Sequence, residues 1–169
     1  RACFDTLSAD LAIEELRDLA AKPEPFFLAL GFFKPHTPYK VPKRYWDLYQ
    51  RDAIPAIESP DRPEGAPDLA FHVNHEIMGT GTNRRTIDAA AQREIRHGYY
   101  AAMSFADAQF GRVLDELDRL GIAEDTIVVA ISDNGFHLGE LDTWGKMTLF
   151  RIDARVPMII AAPMATSGG

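Results

Sequence analysis

The longest unbroken pattern in the chain lies in residues 88–120, where Ile95, Tyr99, Ala102, Ala106, Phe110, Val113, Leu117 and Leu120 keep a helical rhythm. Gly121 follows, the residue type that most readily ends a helix in a left-handed turn. Thr126-Ile127-Val128-Val129-Ala130-Ile131-Ser132 then reads as a central strand, because β-branched and apolar side chains suit a packed sheet. Upstream, the apolar run 26–33 stands just after Pro23 and Pro25 and suits a strand buried on both faces. Strand, long helix, strand implies a right-handed crossover. The expected fold is therefore α/β, a mostly parallel central sheet flanked by helices.

The remaining elements are shorter. Residues 5–21 read as a helix with Leu7, Leu11, Leu16 and Leu19 on one face and Thr6 or Ser8 as its cap. Residues 156–161 read as a further strand. From 34 to about 87 the chain is rich in Pro, Asp, Gly and Asn, with one helical stretch at 43–49, and long loops of this kind tend to carry function. There is no repeat, low-complexity tract or obvious linker, so residues 1–169 are expected to form one domain or a large part of one, with a long loop insertion at about 34–87.

Charge narrows the functional classes. The chain has 18 basic and 25 acidic residues, a net charge of −7, which argues against nucleic acid as a partner. No apolar run is long enough for a membrane span. The opening Arg1-Ala2-Cys3-Phe4 does not read like a natural start, so an N-terminal part with any targeting signal is expected ahead of it. The single cysteine excludes an internal disulfide and leaves the redox compartment open. Nothing in the sequence fixes an oligomeric state.

In open α/β sheets, ligands bind beyond the carboxyl ends of the strands. Two polar clusters fall there, Lys34-Pro35-His36-Thr37-Pro38-Tyr39 and Ser132-Asp133-Asn134-Gly135. A third, Gly139-Glu140 through Trp144-Gly145-Lys146, is brought near by the loop that starts at Asp133. Each has a bland alternative. Asp-Asn-Gly after a strand is often only a turn, a lone loop histidine is often a surface residue, and a lone lysine is usually a solvated charge. Yet Asp133 and Asn134 are adjacent oxygen donors suited to a hard cation, and His36 sits between two prolines on a stiff backbone. His137 lies close enough to the pair to line a pocket. His72 and His75 do not make a complete ligand set and read as substrate-loop or surface residues; His97 reads as structural.

Taken together, these segments resemble the sulfatase family, most closely its iduronate-2-sulfatase-like and choline-sulfatase-like branches, within the alkaline-phosphatase-like superfamily. The resemblance is carried by Gly31-Phe32-Phe33-Lys34-Pro35-His36-Thr37-Pro38-Tyr39, by Gly98-Tyr99-Tyr100-Ala101-Ala102-Met103-Ser104-Phe105-Ala106-Asp107, and by Ser132-Asp133-Asn134-Gly135-Phe136-His137-Leu138-Gly139-Glu140. Trp144-Gly145-Lys146 and Arg155-Val156-Pro157-Met158-Ile159-Ile160 complete it. It implies calcium-dependent hydrolysis of a sulfate ester, small or saccharide, with another divalent cation as an option for the metal. Asp133 and Asn134 match the family's metal ligands. His36 matches the histidine that contacts the sulfate and assists the leaving group, and Lys146 the lysine that binds a sulfate oxygen. Lys34 matches a branch-specific position for substrate contact. The family's compartments are periplasmic, secreted or lysosomal.

The chain also departs from the family pattern. Sulfatases use a formylglycine made from Cys or Ser in a Cys/Ser-x-Pro-x-Arg motif, whereas Cys3-Phe4-Asp5-Thr6-Leu7 has neither the Pro nor the Arg. Cys3 is not the nucleophile, the family's early Asp-Asp pair is absent, and the nucleophile is expected in an N-terminal part not included here. Leu141 stands where relatives often carry His, and Arg151 where many carry an acid. The rival readings are a phosphodiesterase or phosphonate hydrolase of the same superfamily, since fold alone does not settle chemistry, and a non-catalytic homologue that kept the anion site.

Overall fold

The structure, a computed structural model, describes residues 3–71, 77 and 87–163. His72 and His75 lie outside the described residues. Helix α1 (Phe4–Ala20) starts at Cys3 with no side-chain cap, so neither Thr6 nor Ser8 serves as its cap. Helix α2 (Lys43–Trp46) is a single turn within the long loop, and α3 (Ala89–Leu120) is the dominant element. Its ends obey local chemistry. The Asp88 side chain accepts the Ala91 N–H, and Gly121 at φ 70° turns the chain out of the helix while its N–H returns to the last carbonyls.

The buried face of α1 keeps only part of the leucine face that its spacing predicts. Asp5, Ala9, Ala12 and Leu16 are buried, whereas Leu7 and Leu11 are 48% and 66% exposed. Alanines let α3 approach closely, and Ala9, Ala12 and Leu16 pack against Val113 and Leu117. Phe26, Leu28, Leu30 and Phe32 add one side of the 26–33 segment to this core. The other side is open, with Phe27 91% exposed, so this run is covered on one face and not on two. It is extended but joins no ladder among the described residues.

Strand β1 (Val128–Ile131) follows α3. Hairpin strands β2 (His137–Leu138) and β3 (Trp144–Gly145), the one-turn helix α4 (Arg151–Ala154) and strand β4 (Met158–Ala161) complete the order. The mostly parallel sheet is not what forms among the described residues. β1 and β4 pair antiparallel, Val128 opposite Ala161 and Ile131 opposite Met158. The chain between them folds back as a hairpin and a single helical turn at the same end of β1. It makes no crossover to the far end, which parallel pairing requires.

At the far end of α3, Glu116 is buried and takes both Arg17, at 2.7 Å, and Arg119. Hydrogen bonds from Arg119 and then Arg17 hold its carboxylate from an ordinary 4.5 down to about 2. A depressed carboxylate contributes stability that is complete above its unfolded pKa and disappears as pH falls through the folded value. Glu116→Gln should therefore flatten the pH dependence of the thermal midpoint between about pH 4.5 and 2. An unchanged slope in that window would show that the two arginines do not couple to folding.

Candidate active site

The site is organised around the N-terminal half of α3. Gly98 faces Tyr39, and a Cβ at position 98 would lie 2.9 Å from the Tyr39 ring, so only glycine admits this contact. Tyr99, next along the helix, meets Tyr39 edge-on at 6.0 Å and stacks on Phe136 at 5.4 Å. The loop that carries His36 and the loop that carries Asp133 and Asn134 are thus brought to the same turn of one helix. Ile95 and Trp144 lie in the same apolar cluster, with Tyr39 and Phe136 packed against it. Burial, then the charge of Glu140, pushes the Tyr99 phenol pKa up.

The third cluster arrives through the β2–β3 hairpin. His137 pairs with Gly145 and Leu138 with Trp144, so the register continues towards Phe136 and Lys146. Lys146 is half-buried. The backbone around it is unusual, since Leu141 (φ 57°), Asp142 (φ 53°) and Met147 (φ 77°) all occupy the left-handed region without being glycine. Such conformations persist only where neighbours over-determine them, and they concentrate at functional sites. Here the long loop supplies part of the restraint, because Leu141 and Asp142 donate their N–H groups to Ser59 and Pro60 carbonyls at 2.7 Å.

His36 is half-buried and its Nδ1 lies 2.8 Å from the Thr37 carbonyl. A carbonyl oxygen only accepts, so Nδ1 carries a proton in this hydrogen bond. Lys34, expected at the substrate, turns its Nζ onto the His36 and Pro38 carbonyls at 2.8 and 2.7 Å. Partial burial pushes its pKa down, against the opposing fields of Asp5 and Cys3. The sequence had also placed His137 at the pocket wall. Its ring is fully buried, with Nδ1 3.2 Å from the Glu140 carbonyl and Nε2 3.5 Å from Asp153 Oδ1, and it offers a substrate no exposed surface.

Asp133 and Asn134 lie just beyond β1, on the strand end where the sequence places them. Asp133 is exposed and its Oδ1 accepts the Asn134 N–H at 3.0 Å. Asn134 Nδ2 donates to the Gly135 carbonyl at 2.7 Å, which ties the amide nitrogen to the backbone. Gly135 is a close approach, since a Cβ there would fall 1.8 Å from the Ile152 carbonyl oxygen, and its N–H bonds to the Asp153 carbonyl at 2.7 Å. The donor set is two oxygens, of the hard type that calcium takes, and they fit as part of its shell of 6–8. No group of three or more His, Cys, Asp or Glu that could hold a metal occurs among the described residues.

Two further residues support this arrangement without a signal in the sequence. Asp5 and Asp153 are buried acids at helical positions, and nothing in spacing alone distinguishes them from solvated ones. His97, read as structural, is buried, stacked on Trp46 at 4.3 Å, with Nε2 2.8 Å from the Trp46 carbonyl.

Comparison with known proteins follows the same residues. The chain is 34% identical to human iduronate 2-sulfatase over 171 residues, covering 96% of this chain and 31% of that protein. It is 30% identical to choline-sulfatase of Rhizobium meliloti, covering 98% of this chain and 33% of that one. Among solved structures, the phosphonate monoester hydrolase of Silicibacter pomeroyi superposes with a TM-score of 0.71 at 27% identity, over 93% of this chain and 33% of that chain. The chain thus spans about a third of the length of the relatives it matches. The sequence profile of the sulfatase family covers residues 1–167, and with it the three loops that meet on α3: this chain belongs to the sulfatase family.

Proposed function

We propose that the protein to which this chain belongs hydrolyses a sulfate ester with calcium bound. The observation that carries this reading is the convergence of the His36, Asn134 and Lys146 loops on α3, through Tyr39 on Gly98, Phe136 on Tyr99 and Trp144 in the Ile95 cluster. Sulfuryl transfer spreads negative charge over three oxygens and the leaving group, so positioned cations and donors dominate its catalysis, as in phosphoryl transfer. His36 contacts the sulfate and, once protonated at Nε2, hands that proton to the departing oxygen. Lys146 donates to a sulfate oxygen. Asp133 and Asn134 hold the metal, which when bound neutralises charge on the sulfate. Lys34 and His137, with their polar atoms turned onto the protein, support this wall from behind. A uronate or other saccharide sulfate and choline sulfate are the two substrate types favoured by the relatives' names.

A second reading, a phosphonate monoester hydrolase, is supported by the Silicibacter neighbour. The deciding experiment assays the full-length protein on an aryl sulfate and an aryl phosphonate monoester, before and after chelation. Preferred sulfate turnover, lost on chelation and restored by calcium, is expected. Preference for the phosphonate would install the second reading, and indifference to chelation would remove the metal from it.

For the 169-residue chain by itself, calcium binding should be weak, with a dissociation constant at or above about 10⁻⁴ M, because two oxygen ligands leave most of the shell to water. Calorimetry showing a tight, stoichiometric isotherm would place further ligands within these residues.

A further inference from the structure

We propose that Asp5 is a positioning residue for His36, acting through the backbone of the turn that presents it; the proposal rests on the catalytic role of His36 stated above. Asp5 is 1% exposed, and its two carboxylate oxygens accept from two consecutive peptide groups, Phe33 N–H at 2.7 Å and Lys34 N–H at 2.9 Å. A buried carboxylate in the first turn of a helix is costly unless it is hydrogen-bonded. Asp5 shares the buried face of α1 with Ala9, Ala12 and Leu16, whereas Leu7 and Leu11 are exposed.

The anchored peptides lead directly to the histidine. The Phe33 carbonyl, on the residue whose N–H Asp5 holds, accepts the His36 N–H at 3.0 Å. The Phe33 and His36 rings lie 4.7 Å apart. Lys34, whose N–H takes the other Asp5 oxygen, closes the turn from its far side by donating Nζ to the His36 and Pro38 carbonyls. Two charged side chains of opposite sign therefore hold one turn, Asp5 by its N–H groups and Lys34 by its carbonyls. Asn at position 5 keeps the size but has one acceptor oxygen, so one of the two N–H groups would face an amide NH₂. Small misplacement of a catalytic group is enough to cost rate without loss of substrate affinity.

The test uses the full-length protein with an aryl sulfate, and compares Asp5→Asn, His36→Ala and the double variant, with melting temperatures recorded for each. Asp5→Asn should lower kcat by about tenfold with KM held within about twofold, and should change kcat by less than about twofold once His36 is already Ala. Lys34→Met, a half-buried position that loosens the same turn, should show the same coupling and serves if Asp5→Asn does not fold. Equal losses in both backgrounds, or a lower melting temperature with kcat intact, would make Asp5 a fold residue only. Near-native turnover in His36→Ala would instead overturn the catalytic assignment itself, a result separable from failure of the Asp5 coupling.

Discussion

Assayed alone with calcium present, residues 1–169 should give no steady turnover of an aryl sulfate. On the mechanism proposed above, His36 and Lys146 bind the sulfate while Asp133 and Asn134 hold the metal, and none of the four is assigned as a covalent nucleophile. Cys3, the single cysteine, is half-buried at the start of α1 and lacks the Pro and Arg of a formylglycine motif. Electrostatic groups without a nucleophile retain at most a residual acceleration, about 10³–10⁴ over water in other hydrolases. The same preparation should self-associate. Phe27, Ile127, Ile131, Met158 and Ile159 are each more than 60% exposed on or beside extended segments, and open apolar strands invite pairing with other chains. Light scattering will report the association. Steady turnover that vanishes in His36→Ala would place a nucleophile within this chain.

In the full-length protein, His36→Ala and Lys146→Ala should each depress kcat by about 10²-fold or more, a barrier increase of about 2.7 kcal/mol. On the proposed mechanism both groups act where charge develops, so the loss should fall on kcat more than on KM. His36→Gln should not rescue, because an amide replaces the ring's basic nitrogen with a group that does not carry the proton. Near-native turnover in either alanine variant would take that residue out of the catalytic set.

Long-range periodicity was the legible part of the fold. The cap at Asp88 and the stop at Gly121 follow from local chemistry, and α3 fell within a residue of its expected start. The α1 face was legible only at Leu16, because leucines outweigh alanines in a periodicity argument, whereas close helix approach favours alanine, and the buried acid answers to a loop remote in sequence. Strand direction was not legible either. β1 and β4 are apolar runs of the same kind, and whether the chain between them crosses the sheet or turns back depends on the glycine contacts and left-handed residues at 135–147, which no periodicity encodes. Of the candidate site, the three polar loops were legible and the structure packs residues of each against α3, while side-chain direction was not legible. Lys34 and His137 are the polar types a substrate would want, and both turn towards the protein.

The length of α3 separates two tasks. Tyr99 and Leu117 lie about 27 Å apart along its axis at the usual helical rise, one in the aromatic contacts under the three loops and the other in the α1 core. Substitutions that far apart and without shared partners add independently. A lineage carrying this helix is thus free to drift at its candidate-site end while selection for robustness acts on the opposite end, and divergence at the three loops need not be accompanied by divergence in heat tolerance.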